Sequence, residues 1–365
     1  MGLKCGIVGL PNVGKSTLFN ALTAAGIAAE NYPFCTIEPN IGVVAIPDPR
    51  LAALAAIASP ERIVPAVMEF VDIAGLVAGA AQGEGLGNKF LSHIRETDAI
   101  IEVVRCFEDE NIVHVAGRVD PVADIDVINT ELALADLESV ERALAREGKA
   151  ARSGNKDDLK RRDLLERVRA HLNEGGMVRM LSLTEDEQGI LKGFSLLTAK
   201  PVLYVANVKE DGFENNALWE RVRQRAEQEG AQALAICAAF EAELVALPDE
   251  DKPAFLAGMG LTEAGLARLV RAAFALLGLE TFFTAGPKEV RAWTMRQGSF
   301  APQAAGVIHT DFEQGFIRAE VVSYDDYTRY KGEQGAREAG RLRLEGRDYV
   351  MQDGDVVHFR FNVSR

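Results

Sequence analysis

The sequence predicts an α/β chain: a mostly parallel sheet carrying a phosphate-binding turn, interrupted by a helical insertion and followed by a small mixed domain. Three observations predict it. A strand, a Gly-rich turn and a helix start open the chain at "KCGIVGLPNVGKSTLFNAL". Helical periodicity dominates residues 129–200, and short alternating strands replace it from about Thr281.

Composition bounds the reading. With 365 residues, 48% of them hydrophobic, the chain can bury a large core, and its length suggests two or three folding units. Met1 to Gly9 enters the Gly-rich motif at once, which leaves no stretch for a signal peptide, and no apolar run approaches the roughly 20 residues of a membrane span. A cytoplasmic protein with no membrane partner is expected. Cys5, Cys35, Cys106 and Cys237 lie far apart without metal-ligand spacing and read as free thiols. The net charge of −14 argues against a protein that coats nucleic acid with its whole surface. The charge is uneven, however. Residues 1–128 hold 8 basic against 16 acidic side chains and 201–281 hold 7 against 13, whereas 129–200 and 282–365 balance. The two neutral segments can therefore carry basic faces toward an anionic partner.

Gly9-Leu10-Pro11-Asn12-Val13-Gly14-Lys15-Ser16 fits G-x-x-x-x-G-K-[ST] at every fixed position. Glycines let successive N–H groups point into one concavity, and the helix N-terminus adds partial positive charge. Asn12, Val13, Gly14, Lys15, Ser16 and Thr17 are the expected phosphate-binding residues. Lys15 reaches the terminal phosphates and stabilises charge on the transferred group, while the Ser16 hydroxyl holds Mg²⁺. This is the signature of a P-loop NTPase, with the chain order of a Ras-like G domain.

"PAVMEFVDIAGL" supplies a second apolar strand ending in Asp72 and Gly75. Asp72 is the expected carboxylate behind Mg²⁺, its alternative being a helix cap, and the Gly75 N–H can approach a γ-phosphate closely. Between the two strands lies a Pro-bounded polar loop, "ENYPFCTIEPN", in which Thr36 is the candidate for a second Mg²⁺ hydroxyl. Small GTP hydrolases commonly place a water-orienting Gln just after D-x-x-G; here Leu76 stands there, so another group must position the water. His114, after an apolar strand in "EDENIVHVAGRVDP", reads either as an acid/base group or as a structural histidine.

Asn207-Val208-Lys209-Glu210 ends another strand where N-K-x-D would read guanine. Val208 replaces the stacking Lys, and Glu210 is one methylene longer than Asp. A carboxylate displaced along the ring edge loses the bidentate geometry that selects guanine. ATP is therefore the expected ligand, with GTP open, and backbone groups around Asn207 and Val208 are the expected adenine contacts. Cys237-Ala238-Ala239, after the next strand, supplies small residues that bring N–H groups up to the base.

With these residues assembled, the chain resembles the YchF or Obg-like ATPase family of translation-factor-related P-loop NTPases. The likeness rests on "GLPNVGKSTLFNAL", "NYPFCTIEPN", "DIAGLV" with its apolar Leu76, "NVKEDGFENN" and "YKGEQGAREAGRLRLEGRDYVMQDGDVVHF", and it spans essentially the whole chain. Val208 and Lys209 fill the variable centre of that family's N-x-x-E motif. The resemblance implies hydrolysis of ATP, often of GTP as well, and a ribosome-associated role. It also implies that His114 is the candidate catalytic group and that Asn12, like its counterpart in potassium-stimulated relatives, brings in K⁺ as a further cofactor.

In the insertion, Leu134, Leu137, Glu141 and Leu144, then Leu165, Val168 and Leu172, fall at helical spacing around a polar turn at 152–158. An antiparallel helical hairpin is the simplest object. Its basic residues Arg146, Lys149, Arg152, Lys156, Lys160, Arg161 and Arg162 either touch RNA or form a solvated charged face. The C-terminal strands "KEVRAWTM", "GFIRAEVVSY" and "YVMQDGDVVHFRF", the last with an Asp353-Gly354 hairpin turn, form the small mixed domain. For it the resemblance implies a ubiquitin-like β-grasp TGS module.

The expected domains are thus residues 1–128 with 201–280, the insertion 129–200, and 281–365. The function expected is that of a ribosome-binding, Mg²⁺-dependent ATPase acting as a switch; the rivals are a GTPase and a non-catalytic, nucleotide-gated ribosome-binding module.

Overall fold

The computed structural model describes residues 3–26, 40–74, 86–150 and 155–362. Cys35, Thr36, Gly75, Leu76 and Arg152 lie outside the described residues, as do the expectations placed on them. Among the described residues twelve strands run in chain order as β1 (Lys4–Val8), β2 (Ile41–Ala45), β3 (Arg62–Val64), β4 (Val67–Asp72), β5 (Ala99–Arg105), β6 (Val202–Asn207), β7 (Gln232–Ile236), β8 (Leu279–Ala285), β9 (Glu289–Arg296), β10 (Phe316–Ser323), β11 (Arg343–Glu345) and β12 (Asp355–Phe361). The chain divides into two compact units, residues 1–43 with 69–269 and residues 44–68 with 270–365.

The first unit is built on the sheet β2-β4-β1-β5-β6-β7. The β4, β1, β5, β6 and β7 pairings are parallel. β5 and β6 are buried at every residue, as a sheet covered on both faces requires. Parallel pairing aligns the carboxyl ends of the strands, where ligands of open α/β sheets bind. Ile7 stands opposite Asp72, and Arg105 stands opposite Asn207, which stands opposite Ile236. The P-loop, Asp72, Asn207 and Cys237 therefore emerge along one rim.

The helical insertion belongs to this unit rather than standing apart. Its first helix, Pro121–Ala150, begins before residue 129 and runs unbroken from a start that contacts β5 and the helix Ala217–Glu229 into the pairing with the helix Lys156–Asn173. The hairpin exists, with a shifted register. Leu165, Val168 and Leu172 are buried as expected, but they meet Ala133, Val140 and Ala143, with Leu137 and Leu144 partly buried beside them. Leu134 is 39% exposed and Glu141 is exposed. Close helix packing favours alanine at the seam, which leucine counting does not detect. The second helix begins at Lys156, inside the expected polar turn, because Asn155 caps it by accepting from the Asp157 N–H.

Asp136 ties the first helix of the insertion to the segment that returns from it to β6. Its buried carboxylate accepts from the Leu197 and Thr198 N–H groups at 2.9 and 2.8 Å and from the Thr198 hydroxyl at 2.7 Å, just before β6. Burial raises its pKa, and those hydrogen bonds pull the other way.

The C-terminal unit carries the sheet β11-β10-β12-β8-β9-β3. The mixed domain is therefore present, with two corrections. Residues 44–68 and 270–280 join it, because β3 pairs in parallel with β9 and Arg50 donates to Asp353 at 2.6 Å. Asp353 and Gly354 do not join two neighbouring strands. β12 pairs antiparallel with β10 and lies parallel to β8, while Asp353 accepts from the Thr281 N–H at 2.9 Å. The turn is a corner that delivers β12 to the middle of the sheet.

Candidate nucleotide-binding site

The P-loop sits between β1 and the helix Lys15–Ala24. Asn12 and Gly14 both adopt left-handed backbone, φ 64° and 94°, a conformation open to Gly and tolerated by Asn. Gly14 is required twice over, since a Cβ there would lie 2.1 Å from Asn207 Nδ2. That contact joins two motifs 193 residues apart. Asn207 Nδ2 donates to the Val13 carbonyl at 2.8 Å, and Asn207 Oδ1 accepts from the Ala238 N–H at 3.0 Å. One amide thus holds the P-loop, the end of β6 and the first turn of the helix Ala238–Ala246 together.

Lys15 is buried, and its ammonium donates to Asp72 Oδ1. The groups expected at the terminal phosphates and behind the metal thus meet. Ser16 and Thr17 are exposed on the first helical turn. Hydroxyl and carboxylate oxygens at this corner form a hard donor set of the kind Mg²⁺ takes, so Ser16 and Asp72 fit the ion.

A cavity of about 630 Å³ opens beside this cradle, lined by Asn12, Gly14 and Thr17 on the phosphate side and by Asn207 to Asp211 and Cys237 to Ala239 on the other. The expected base-reading residues are therefore brought together. One expectation is corrected. The Val208 N–H donates to the Ile236 carbonyl at 2.9 Å and the Asn207 carbonyl accepts from the Cys106 N–H at 2.8 Å, both as continuations of the sheet. Those two groups are not available to adenine, which leaves the Val208 carbonyl and the Lys209 N–H at that edge. Glu210 is exposed at the rim of the cavity. Cys237 is buried, and burial raises its thiol pKa, opposed by the N–H groups of Phe240 and Ala239. A thiol so held serves as part of the wall rather than as a nucleophile.

Phe107, Asp109 and Ile112 complete the lining. Sequence reading missed them, because the segment after β5 has no motif. It approaches the P-loop directly: Asn12 Nδ2 donates to the Val113 carbonyl at 3.0 Å.

His114 follows at once, in a setting that both of its expected readings, acid/base group and structural histidine, must accommodate. The ring is buried, Nε2 lies 2.9 Å from Asp124 Oδ2, and Nδ1 accepts from the Ala116 N–H at 3.2 Å. With Nδ1 accepting, the proton sits on Nε2 and is donated to Asp124. Burial raises the Asp124 pKa, while His114 lowers it. As placed, both ring nitrogens are engaged, Nε2 by Asp124 and Nδ1 by the Ala116 N–H.

Of the basic insertion residues, Lys160, Arg161 and Arg162 each have an acidic neighbour, Asp186, Glu147 and Asp163, at 3.7, 3.6 and 2.9 Å. This part of the surface is a mixed-charge face. A second cavity, about 660 Å³, lies in the C-terminal unit among Trp293, Phe312, Phe359 and Phe361. No helix among the described residues is long and apolar enough to cross a membrane.

Comparison with known proteins gives the family. Residues 4–135 match a family described as 50S ribosome-binding GTPase, and residues 279–362 match the YchF-GTPase_C family, a protein of unknown function. A protein of Haemophilus ducreyi described as "Ribosome-binding ATPase YchF" is 64% identical over 363 residues, covering 100% of both chains. The chain belongs to the YchF family. YchF proteins of Escherichia coli O157:H7 and Bacillus subtilis carry the same description at 59% and 53% identity, again over 100% of each chain. The solved structure of the Schizosaccharomyces pombe YchF GTPase matches with a TM-score of 0.90 at 39% identity over 98% of each chain. A GTP binding protein from Pyrococcus horikoshii, at 23% identity and a TM-score of 0.63, shares the fold. One set of YchF relatives is thus called ATPases and another a GTPase, so base preference rests on the site.

Proposed function

We propose that the chain is a ribosome-binding, Mg²⁺-dependent nucleoside triphosphate hydrolase that prefers ATP to GTP. The observation that carries the reading is the Asn207 bracket, which sets an N-x-x-E segment rather than N-K-x-D against a complete P-loop across one cavity. The P-loop amides and Lys15 bind the β- and γ-phosphates. Lys15 exchanges Asp72 for the triphosphate, which frees the carboxylate to support the metal. Ser16, Thr36 and Asp72 would hold Mg²⁺, which when bound would neutralise charge on the phosphates. Gly75 senses the γ-phosphate, Glu210 frames the base, and Cys237 with Ala238 closes its far side. The C-terminal unit is assigned as the TGS module, and with the insertion it supplies the ribosome contacts, in keeping with the relatives' descriptions. The work is cytoplasmic.

His114 acts as the acid/base group in this proposal. Asp124 fixes the tautomer, and only the 3.2 Å Ala116 N–H bond needs displacing to free Nδ1 for a water. His114→Ala is expected to lower single-turnover ATP hydrolysis about 10²-fold with ATP affinity within twofold of wild type. Unchanged turnover with a lower melting temperature would instead make the histidine structural and favour the non-catalytic module. The Asn12 side-chain oxygen is the K⁺ contact in this reading. Turnover compared in K⁺ and in Na⁺ tests that role, and equal rates would remove it.

Base preference is read by calorimetric titration with non-hydrolysable ATP and GTP analogues in Mg²⁺. Wild type is expected to bind ATP at least as tightly as GTP, and Glu210→Asp to shift preference toward GTP. A wild-type preference for GTP of tenfold, about 1.4 kcal/mol, would make the chain a GTPase.

A further inference from the structure

Arg105, the last residue of β5, is 1% exposed and is the largest fully buried side chain among the described residues. Among those residues its hydrogen-bond partners are three main-chain carbonyls of the segment that follows it. Nε donates to Phe107 O at 2.9 Å, one terminal nitrogen to Ile112 O at 2.9 Å, and the other to Asp109 O at 3.2 Å. The guanidinium carbon also lies 4.7 Å from the centre of the Phe107 ring. A buried cation is costly unless its donors are satisfied. Here the planar fork of five N–H groups is what a curled backbone with three inward carbonyls can satisfy.

The segment so curled is the wall that the nucleotide motifs do not provide. Phe107, Asp109 and Ile112 line the cavity beside Asn207 to Asp211. The curl is reinforced from within by the Asn111 N–H to Asp109 Oδ1, 2.9 Å, and by the Ile112 N–H to Asp109 O, 3.2 Å. Its far end meets the P-loop through Asn12 and Val113. Arg105 also stands opposite Asn207 in the sheet, so the residue that shapes this wall and the residue that brackets the P-loop share one register.

We propose that Arg105 is a positioning residue for the base half of the nucleotide, folding residues 107–112 into the wall against which the base is held. Arg105 touches no phosphate ligand, and its effect is confined to ligands that carry a base. The inference rests on the nucleotide-binding reading above.

The test compares Arg105→Lys with wild type by titrating a non-hydrolysable ATP analogue and, separately, inorganic tripolyphosphate, both with Mg²⁺. Lysine keeps the charge but cannot reach three carbonyls from one nitrogen. The expected result is ATP-analogue affinity lower by tenfold or more with tripolyphosphate affinity within twofold of wild type. ATP-analogue affinity within twofold, or equal losses for both ligands, would overturn the proposal. If Arg105→Lys does not fold, Phe107→Ala, which opens the same wall without disturbing the buried charge's hydrogen bonds, is read against the same pair of outcomes. Failure of the wild-type chain to bind the ATP analogue at all would count against the nucleotide-binding reading itself, and is distinguishable from either result.

Discussion

The Asn207 side chain is the constraint on which the site depends. A P-loop is a short run of backbone that must keep its N–H groups pointing inward, and it has few contacts of its own to do so. Asn207 fixes it from the opposite motif by taking hold of the Val13 carbonyl, and fixes itself by accepting the Ala238 N–H. A buried amide engaged on both sides is costly to misplace, because either unpaired half would forfeit on the order of 1–3 kcal/mol. The phosphate cradle, the end of β6 and the start of the helix Ala238–Ala246 therefore move as one body. That explains why Gly14 must be glycine as much as the loop's own conformation does.

The surrounding structure serves to place that amide. Parallel pairing puts Asn207 level with Arg105 and Ile236, and the sheet absorbs the Val208 N–H and the Asn207 carbonyl into its ladder. Asp136 anchors the returning insertion just before β6 begins. On the outer side Arg105 curls the segment that closes the cavity. Around that frame two side chains are already engaged within the protein: Lys15 donates to Asp72, and the His114 ring lies between Asp124 and the main-chain N–H of Ala116.

Much of this was legible in the sequence where chemistry fixes spacing. Gly14, Lys15 and Ser16 are demanded by phosphate geometry within eight residues, and Asp72 and Asn207 end apolar strands in the expected order. What was not legible depends on distant partners. Ala133, Val140 and Ala143 carry the insertion seam although leucines nearby look stronger. β3 is three residues long and finds its partner β9 more than two hundred residues later. Arg105 carries no motif, and its burial is explained only by the three carbonyls that converge on it. The Asn207 and Val208 backbone looked free for adenine because the sequence does not show where a ladder stops.

The most direct measurement of the central claim is calorimetric titration of Asn207→Ala with inorganic tripolyphosphate and Mg²⁺, with circular dichroism to confirm that the sheet is retained. If Asn207 holds the cradle, the variant loses affinity for this base-free ligand by tenfold or more. Wild-type affinity for tripolyphosphate in a folded variant would contradict the account, since Asn207 would then touch only the base.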